Sequence, residues 1–190
     1  MNTYIESAVA QFRTLLEEQL ARTGRMENAA PAKDFTALPV VTIGVIDGDG
    51  IGPIISRQST RVLEALLKDE IASGSIVLTP IEGLTIENRL TKGEAVPKDV
   101  LAEVKKCDVL LKGPTETPKG GTMESANVTL RRELDLYANV RPVSVPDQGI
   151  DWIFFRENTE GEYVLGSRGV EIPGLRSRLL SRRFHQDTTF

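Results

Sequence analysis

The chain has 190 residues, of which 40% are hydrophobic and 26% charged, and a formal net charge of −4. Those values are ordinary for a globular protein with a sizeable core, and the acidic balance argues against a general role on nucleic acid or a membrane surface. Cys107 is the single cysteine, so no internal disulfide forms, and no apolar run reaches the length of a membrane helix.

Residues 3–23 read as an amphipathic helix, with Ile5, Val9, Phe12, Leu15, Leu16 and Leu20 at three-to-four spacing and Gly24 as the stop. A stripe of this kind is costly to leave in water, so it is expected to pack, either on its own domain or against a second subunit. Glu6, Glu17 and Glu18 count against a transit peptide and there is no secretory apolar segment, which makes the cytoplasm the default compartment. Residues 25–39 are aperiodic and contain Pro31 and Pro39, as a linker would.

Val40–Ile46 is a β-branched apolar run, expected as a strand buried on both faces. GDGIGP follows at Gly48–Pro53, then a helical stretch from Ile54 to about Ile71 with Ile55, Val62, Leu63, Leu66 and Leu67 apolar. Strand, glycine turn and helix invite a dinucleotide reading, but Pro53 occupies the sixth position after Gly48 and Gly50, where the fingerprint requires glycine. The Rossmann reading fails on that residue. Ile76–Ile81 is a second strand, placed at an edge by Pro80. Residues 97–106 form a short helix with Pro97 in its first turn, and Asp108–Lys112 is the next buried strand, entered by Cys107 as a small buried hydrophobe. Alternation of strands and helices predicts an α/β sheet with parallel elements.

The most informative stretch is Leu110–Pro142, LLKGPTETPKGGTMESANVTLRRELDLYANVRP. It runs from an apolar strand through a Pro/Gly/Thr loop into a helix that begins near Ser125 and Asn127. A helix start collects unpaired N–H groups and suits an anion. Asn127 and Arg131 are four apart and share a face, and Arg141 is held extended by Pro142. Blander readings are available: Ser125 or Asn127 simply caps the helix, and Arg131 pairs with Glu133 or Asp135. Leu136–Val145 and Asp151–Arg156 are further strands, with Trp152, Ile153, Phe154 and Phe155 expected in the core. Arg156 closes the second and needs an acidic partner or an anionic ligand.

GDGIGP, KGP-x-x-TP-x-GG, S-x-N-x-x-LR, LDLYAN-x-RP and FRENTEGEY occur in that order. Together they resemble the isocitrate/isopropylmalate dehydrogenase family, specifically its isocitrate branch, over roughly residues 40–173. The resemblance implies the family's own α/β fold, which is not Rossmann, and here only its N-terminal half. It divides the chain into a helix and linker (1–39), the family region (40–174) and a divergent tail (175–190). The tail holds Arg176, Arg178, Arg182 and Arg183 against Asp187 alone, and is expected not to be family sequence. His185 within it has no metal-site company.

By resemblance, Arg131, Arg141 and Arg156 bind the carboxylates common to the family's substrates, while Ser125 and Asn127 recognise the third carboxylate of isocitrate. Tyr163 matches the tyrosine that protonates the product carbon, though a tyrosine anchoring the turn after GEY is the plainer reading. Lys112 and Thr117 match positions near the nicotinamide of NAD or NADP, and Glu116 stands where another small polar residue is common. Glu124 replaces a basic residue that often precedes the serine, which weakens the expected anion attraction. Magnesium or manganese is implied, with its ligands and the lysine that assists the tyrosine in a part of the family fold not found in this sequence. The implied partners are an isocitrate-like tricarboxylate and a second copy, or a second chain supplying the missing half. Two other readings stand beside this one: a non-catalytic subunit or interaction protein, and a 3-isopropylmalate or homoisocitrate dehydrogenase relative.

Overall fold

The computed structural model describes residues 3–31, 33–119 and 123–159. The chain divides into two compact units, one spanning Asp34–Asn158 and the other containing the N-terminal helix. That helix, α1 (Thr3–Glu27), runs through Gly24 instead of stopping there. A glycine inside a helix costs about 1 kcal/mol relative to alanine, too little to end one this long. Its apolar stripe is left uncovered among the described residues of this single chain. No residue of α1 is buried, and Ile5, Val9, Phe12, Leu16 and Leu20 are exposed while Leu15 is half-buried.

In the Asp34–Asn158 unit, β1 (Val41–Ile46) lies between β2 (Ile76–Pro80) and β3 (Val109–Lys112) in a three-stranded parallel sheet ordered β2-β1-β3. Val41 faces Ile76 on one side of β1, and Ile43 faces Val109 on the other. β2 is an edge strand, as Pro80 required; β3 is the other edge and only half-buried, not the buried strand expected of it. Parallel neighbours need crossovers, and helices supply them. The predicted single helix after the glycine turn is two, α2 (Gly52–Leu66) and α3 (Lys68–Ser73), broken at Leu67. Of its apolar positions Leu63 and Leu67 are half-buried, whereas Ile55, Val62 and Leu66 are exposed. Between β2 and β3 stand α4 (Ile86–Lys92), which no apolar period announced, and α5 (Lys98–Val104), which follows Pro97 as expected.

The core joins the sheet to α5 and to α6 (Ala126–Glu133) through Ile46, Ile81, Leu84, Val100, Val104, Ala126 and Leu130. Cys107 packs against this cluster. Burial, with Asp108 and Glu103 adding to it, raises its thiol above the ordinary range, as befits an inert packing residue.

β4 (Ala138–Val145) and β5 (Ile150–Glu157) form a separate antiparallel hairpin, turned by Gly149 at φ 65°. Here the core expectation is corrected: Trp152, Ile153, Phe154 and Phe155 are exposed, Trp152 by 57% and Phe155 by 71%. The alternation correctly reads as strand, but a two-stranded ribbon has no layer of its own to cover either face. Trp152 is the sole tryptophan, so fluorescence reports this surface alone. In the monomeric chain, without a partner, its emission is expected at the wavelength of water-exposed indole, with efficient acrylamide quenching; a blue-shifted, unquenched band from the monomer would show the hairpin covered by its own chain.

Candidate functional site

β1 ends in a turn whose backbone is locked against the loop after β3. Gly113 N–H donates to Ile46 O at 2.7 Å and Asp49 N–H to Pro114 O at 2.8 Å. Gly48 sits at φ 75° with Pro114 O only 2.0 Å from where a Cβ would stand. The Asp49 side chain is 6% exposed and accepts from two backbone amides at 2.7 Å, Ile86 N–H at Oδ1 and Glu116 N–H at Oδ2. Beneath it Arg89, fully buried in α4, donates from Nε to Ala95 O (2.8 Å) and from Nη1 to Glu116 O (2.7 Å). Nη1 also lies 3.8 Å from Asp49 Oδ2.

Held in this way, the loop presents Thr115 to both of its neighbours. Lys112 Nζ, at the end of β3, donates to Gly113 O at 2.6 Å and lies 3.4 Å from Thr115 Oγ1, which in turn donates to Asn127 Oδ1 at 3.4 Å. The Lys112 amine is held below the ordinary lysine range, first by burial and then by Arg89 and Arg131, with Asp49 opposing.

α6 is set by its buried face. Ala126 and Leu130, four apart, insert into the core, which turns Asn127 and Arg131 together onto the adjoining half-buried face. Ser125 occupies the N-cap at φ −61° and ψ 130°, but its side chain makes no capping hydrogen bond. The capping explanation for Ser125 is thereby removed, and its hydroxyl stands at the helix entrance. Pairing of Arg131 with Glu133 or Asp135 is absent too. Among the described residues its guanidinium has no ion pair, and Glu133 Oε1 instead lies 3.7 Å from Arg132 Nε.

Glu124 is not aimed at the helix tip as an opposing charge. Arg132 grips it with two parallel hydrogen bonds of 2.8 Å, and Thr129 Oγ1 donates to it at 2.7 Å. The side chains of Glu124 and Arg132 are 13% and 15% exposed, so the pair is a largely desolvated fork that fixes how the chain enters α6.

The arginines of the hairpin form a second group. Asn139 faces Arg156 across the ribbon and Arg141 faces Phe154, so Arg141 and Arg156 are diagonal neighbours on one face. Arg141 Nε donates to Asn139 Oδ1 at 3.2 Å. Ser125, Asn127 and Arg131 thus come together on α6, with Lys112 and Thr115 beside Asn127, while Arg141 and Arg156 come together on the hairpin. Among the described residues no hydrogen bond joins Ser125, Asn127 or Arg131 to Arg141. Thr117 is exposed on the loop after β3, and Tyr163 lies outside the described residues. Two residues of this region have no signal in the sequence, Arg89 and Thr115, the latter one position beyond the KGP step. Asp49 counts there only as part of a glycine turn, because its side-chain donors come from 37 and 67 residues away.

This chain matches the isocitrate/isopropylmalate dehydrogenase family model over residues 42–178. It belongs to that family. An NADP isocitrate dehydrogenase of Caldococcus noboribetus is 40% identical over 140 residues, covering 69% of this chain and 32% of the relative. Subunit 2 of the mitochondrial NAD isocitrate dehydrogenase of Schizosaccharomyces pombe is 40% identical over 143 residues, covering 70% and 35%. A β-decarboxylating dehydrogenase from Thermococcus kodakarensis, solved in its apo form, superposes with a TM-score of 0.54 at 33% identity, over 64% of this chain and 35% of that one. The chain therefore spans about a third of the length of these relatives. The family is one of oxidoreductases, and the fold of this chain is α/β with a parallel sheet. Among the described residues no group of three His, Cys, Asp or Glu side chains is placed to hold a metal ion, and no helix is long and apolar enough to cross a membrane.

Proposed function

We propose that this chain carries the substrate-recognition part of an NAD- or NADP-dependent isocitrate dehydrogenase. Such an enzyme oxidises the C2 hydroxyl of isocitrate and releases the β-carboxylate as carbon dioxide, giving 2-oxoglutarate. One observation carries the reading: the α6 face holds Asn127 and an Arg131 guanidinium that has no ion pair among the described residues, next to a Ser125 hydroxyl not used for capping. Arg131 offers a carboxylate its planar fork of donors, and Ser125 and Asn127 offer the third carboxylate small polar contacts. Arg141 and Arg156 bind the remaining carboxylates from the hairpin face they share. A nicotinamide, when bound, would supply the hydride acceptor, and Lys112 and Thr117 are the residues that would help to hold it. Tyr163 returns a proton to the product carbon.

The partner in this proposal is a second copy, or a chain carrying the rest of the family fold. It covers the apolar faces of the hairpin and supplies the ligands for magnesium or manganese together with the lysine that assists Tyr163. The family region 40–174 is the part that it completes. A cytoplasmic location belongs to the same reading, supported by the single cysteine.

Ser125→Leu tests the assignment. It is expected to weaken isocitrate binding about tenfold or more, because a carboxylate loses its donor and meets an apolar side chain. Malate, which lacks the third carboxylate, should lose far less. Equal loss for both ligands refutes the role given to Ser125. With isocitrate, a divalent metal and either cofactor, the 190-residue chain alone is expected to give negligible turnover. Measurable cofactor reduction overturns the need for a partner.

A further inference from the structure

The hydrogen bonds around Asp49 and Arg89 have an uneven distribution. Arg89 is the largest fully buried side chain among the described residues, and it sits in a helix of seven residues. Its fork reaches Ala95 O, Glu116 O and, at 3.8 Å, Met123 Sδ. Asp49 takes Ile86 N–H and Glu116 N–H. Glu116 is an exposed residue, yet both of its backbone polar groups are held by this buried pair, its N–H by Asp49 and its C=O by Arg89. Two residues earlier, Pro114 O is held by the Asp49 backbone N–H. Thr115 is thus bracketed on both sides by residues fixed to one aspartate.

Burying an arginine and an aspartate is a poor way to gain stability, since well-packed apolar residues serve as well or better. At 3.8 Å the two charges are not directly hydrogen-bonded to each other. What they supply that apolar residues cannot is a set of directed bonds to the loop backbone. The consequence lies in the row Lys112 Nζ, Thr115 Oγ1, Asn127 Oδ1, in which each separation is 3.4 Å and a small displacement of the loop breaks the chain of contacts.

We infer that Asp49 and Arg89 are positioning residues that hold Thr115 between Lys112 and Asn127, and so set the polar edge of the α6 site from beneath. The inference rests on the proposed α6 site for its purpose, while its geometry stands independently of the ligand. Lys112 also senses the pair through charge: Arg89 and Arg131 push its amine down, in the same direction as burial, and Asp49 pushes it up.

The test uses the full chain with Lys112 followed by NMR as a function of pH. Asp49→Asn removes the negative neighbour and is expected to move the Lys112 midpoint further down. Arg89→Gln removes a positive neighbour and is expected to move it up. Loss of structure alone would move both variants up, towards an ordinary lysine, so the opposite signs distinguish positioning from unfolding. Arg89→Lys keeps the charge without the fork. It should leave the Lys112 midpoint near that of the parent while breaking the Thr115–Asn127 contact, read as a shift of both resonances. The Glu116 amide, deprived of a charged acceptor in Asp49→Ala, should exchange with solvent about tenfold faster or more. Unchanged Lys112 titration and unchanged Glu116 exchange in folded variants overturn the inference. If the Lys112 shifts appear but isocitrate leaves the parent chain's α6 resonances unmoved, the pair holds its loop as inferred and the substrate reading is what fails.

Discussion

Gly113→Ala is expected to destabilise the Asp34–Asn158 unit by about 3–5 kcal/mol, the sum of a severe overpacking and the loss of two backbone hydrogen bonds. A Cβ at this position would stand 2.0 Å from Asp47 O and 2.8 Å from Ser56 Oγ. Neither obstacle is the free end of a flexible chain. Asp47 O belongs to the turn itself, and Ser56 is buried in α2. The loop must therefore retreat, and with it go the bonds from Gly113 N–H to Ile46 O and from Asp49 N–H to Pro114 O. Gly50→Ala is the matched control. It has open space around the added methyl but stands at φ 58°, so it should cost only about 1 kcal/mol, the penalty for a left-handed alanine. Urea unfolding of the two variants checks the difference. A Gly113→Ala protein within about 0.5 kcal/mol of the parent, the scatter of ordinary surface changes, would show that the two loops are not locked backbone to backbone.

Arg132→Ala is the second large effect, expected at about 2–3 kcal/mol, because it leaves Glu124 largely desolvated with Thr129 and without its charged fork. The loss should be non-additive with Glu124→Ala. Once the carboxylate is gone, removing the arginine costs much less, and the double-mutant cycle should return a coupling of about 1–3 kcal/mol. The same cycle decides what Glu124 does at the helix entrance. If it were an uncompensated charge repelling an anion, Glu124→Gln would strengthen isocitrate binding strongly. Bound as it is to Arg132, it should change binding little while lowering stability.

The sequence makes some of this legible and hides the rest for physical reasons. The three strands of the parallel sheet announce themselves as short apolar runs, and Pro80 correctly marks an edge because it lacks a donor. The face shared by Asn127 and Arg131 follows from helical spacing alone. α4 escapes notice because apolar periodicity is blind to a helix whose one buried side chain is an arginine. Its boundary signals are there all the same: Thr85 caps the start by accepting from Asn88 N–H, and Gly93 closes the end in the left-handed region. The hairpin fails differently. Its alternation of Trp152, Ile153, Phe154 and Phe155 predicts strand correctly, but burial depends on what lies against the strand, and that is no property of the strand's own sequence. Asp49 was seen only as part of a glycine turn. Its two amide donors come from residues 37 and 67 positions away, and no local pattern encodes them.

The most direct measurement is an NMR titration of the 190-residue chain with isocitrate, read at each backbone amide and at the side chains of Asn127 and Arg131. Saturable shifts are predicted at Ser125, Asn127 and Arg131, with malate shifting Arg131 and leaving Ser125 and Asn127 nearly in place. Shifts confined to other surfaces, or an identical response to both acids, would contradict a tricarboxylate site on this helix.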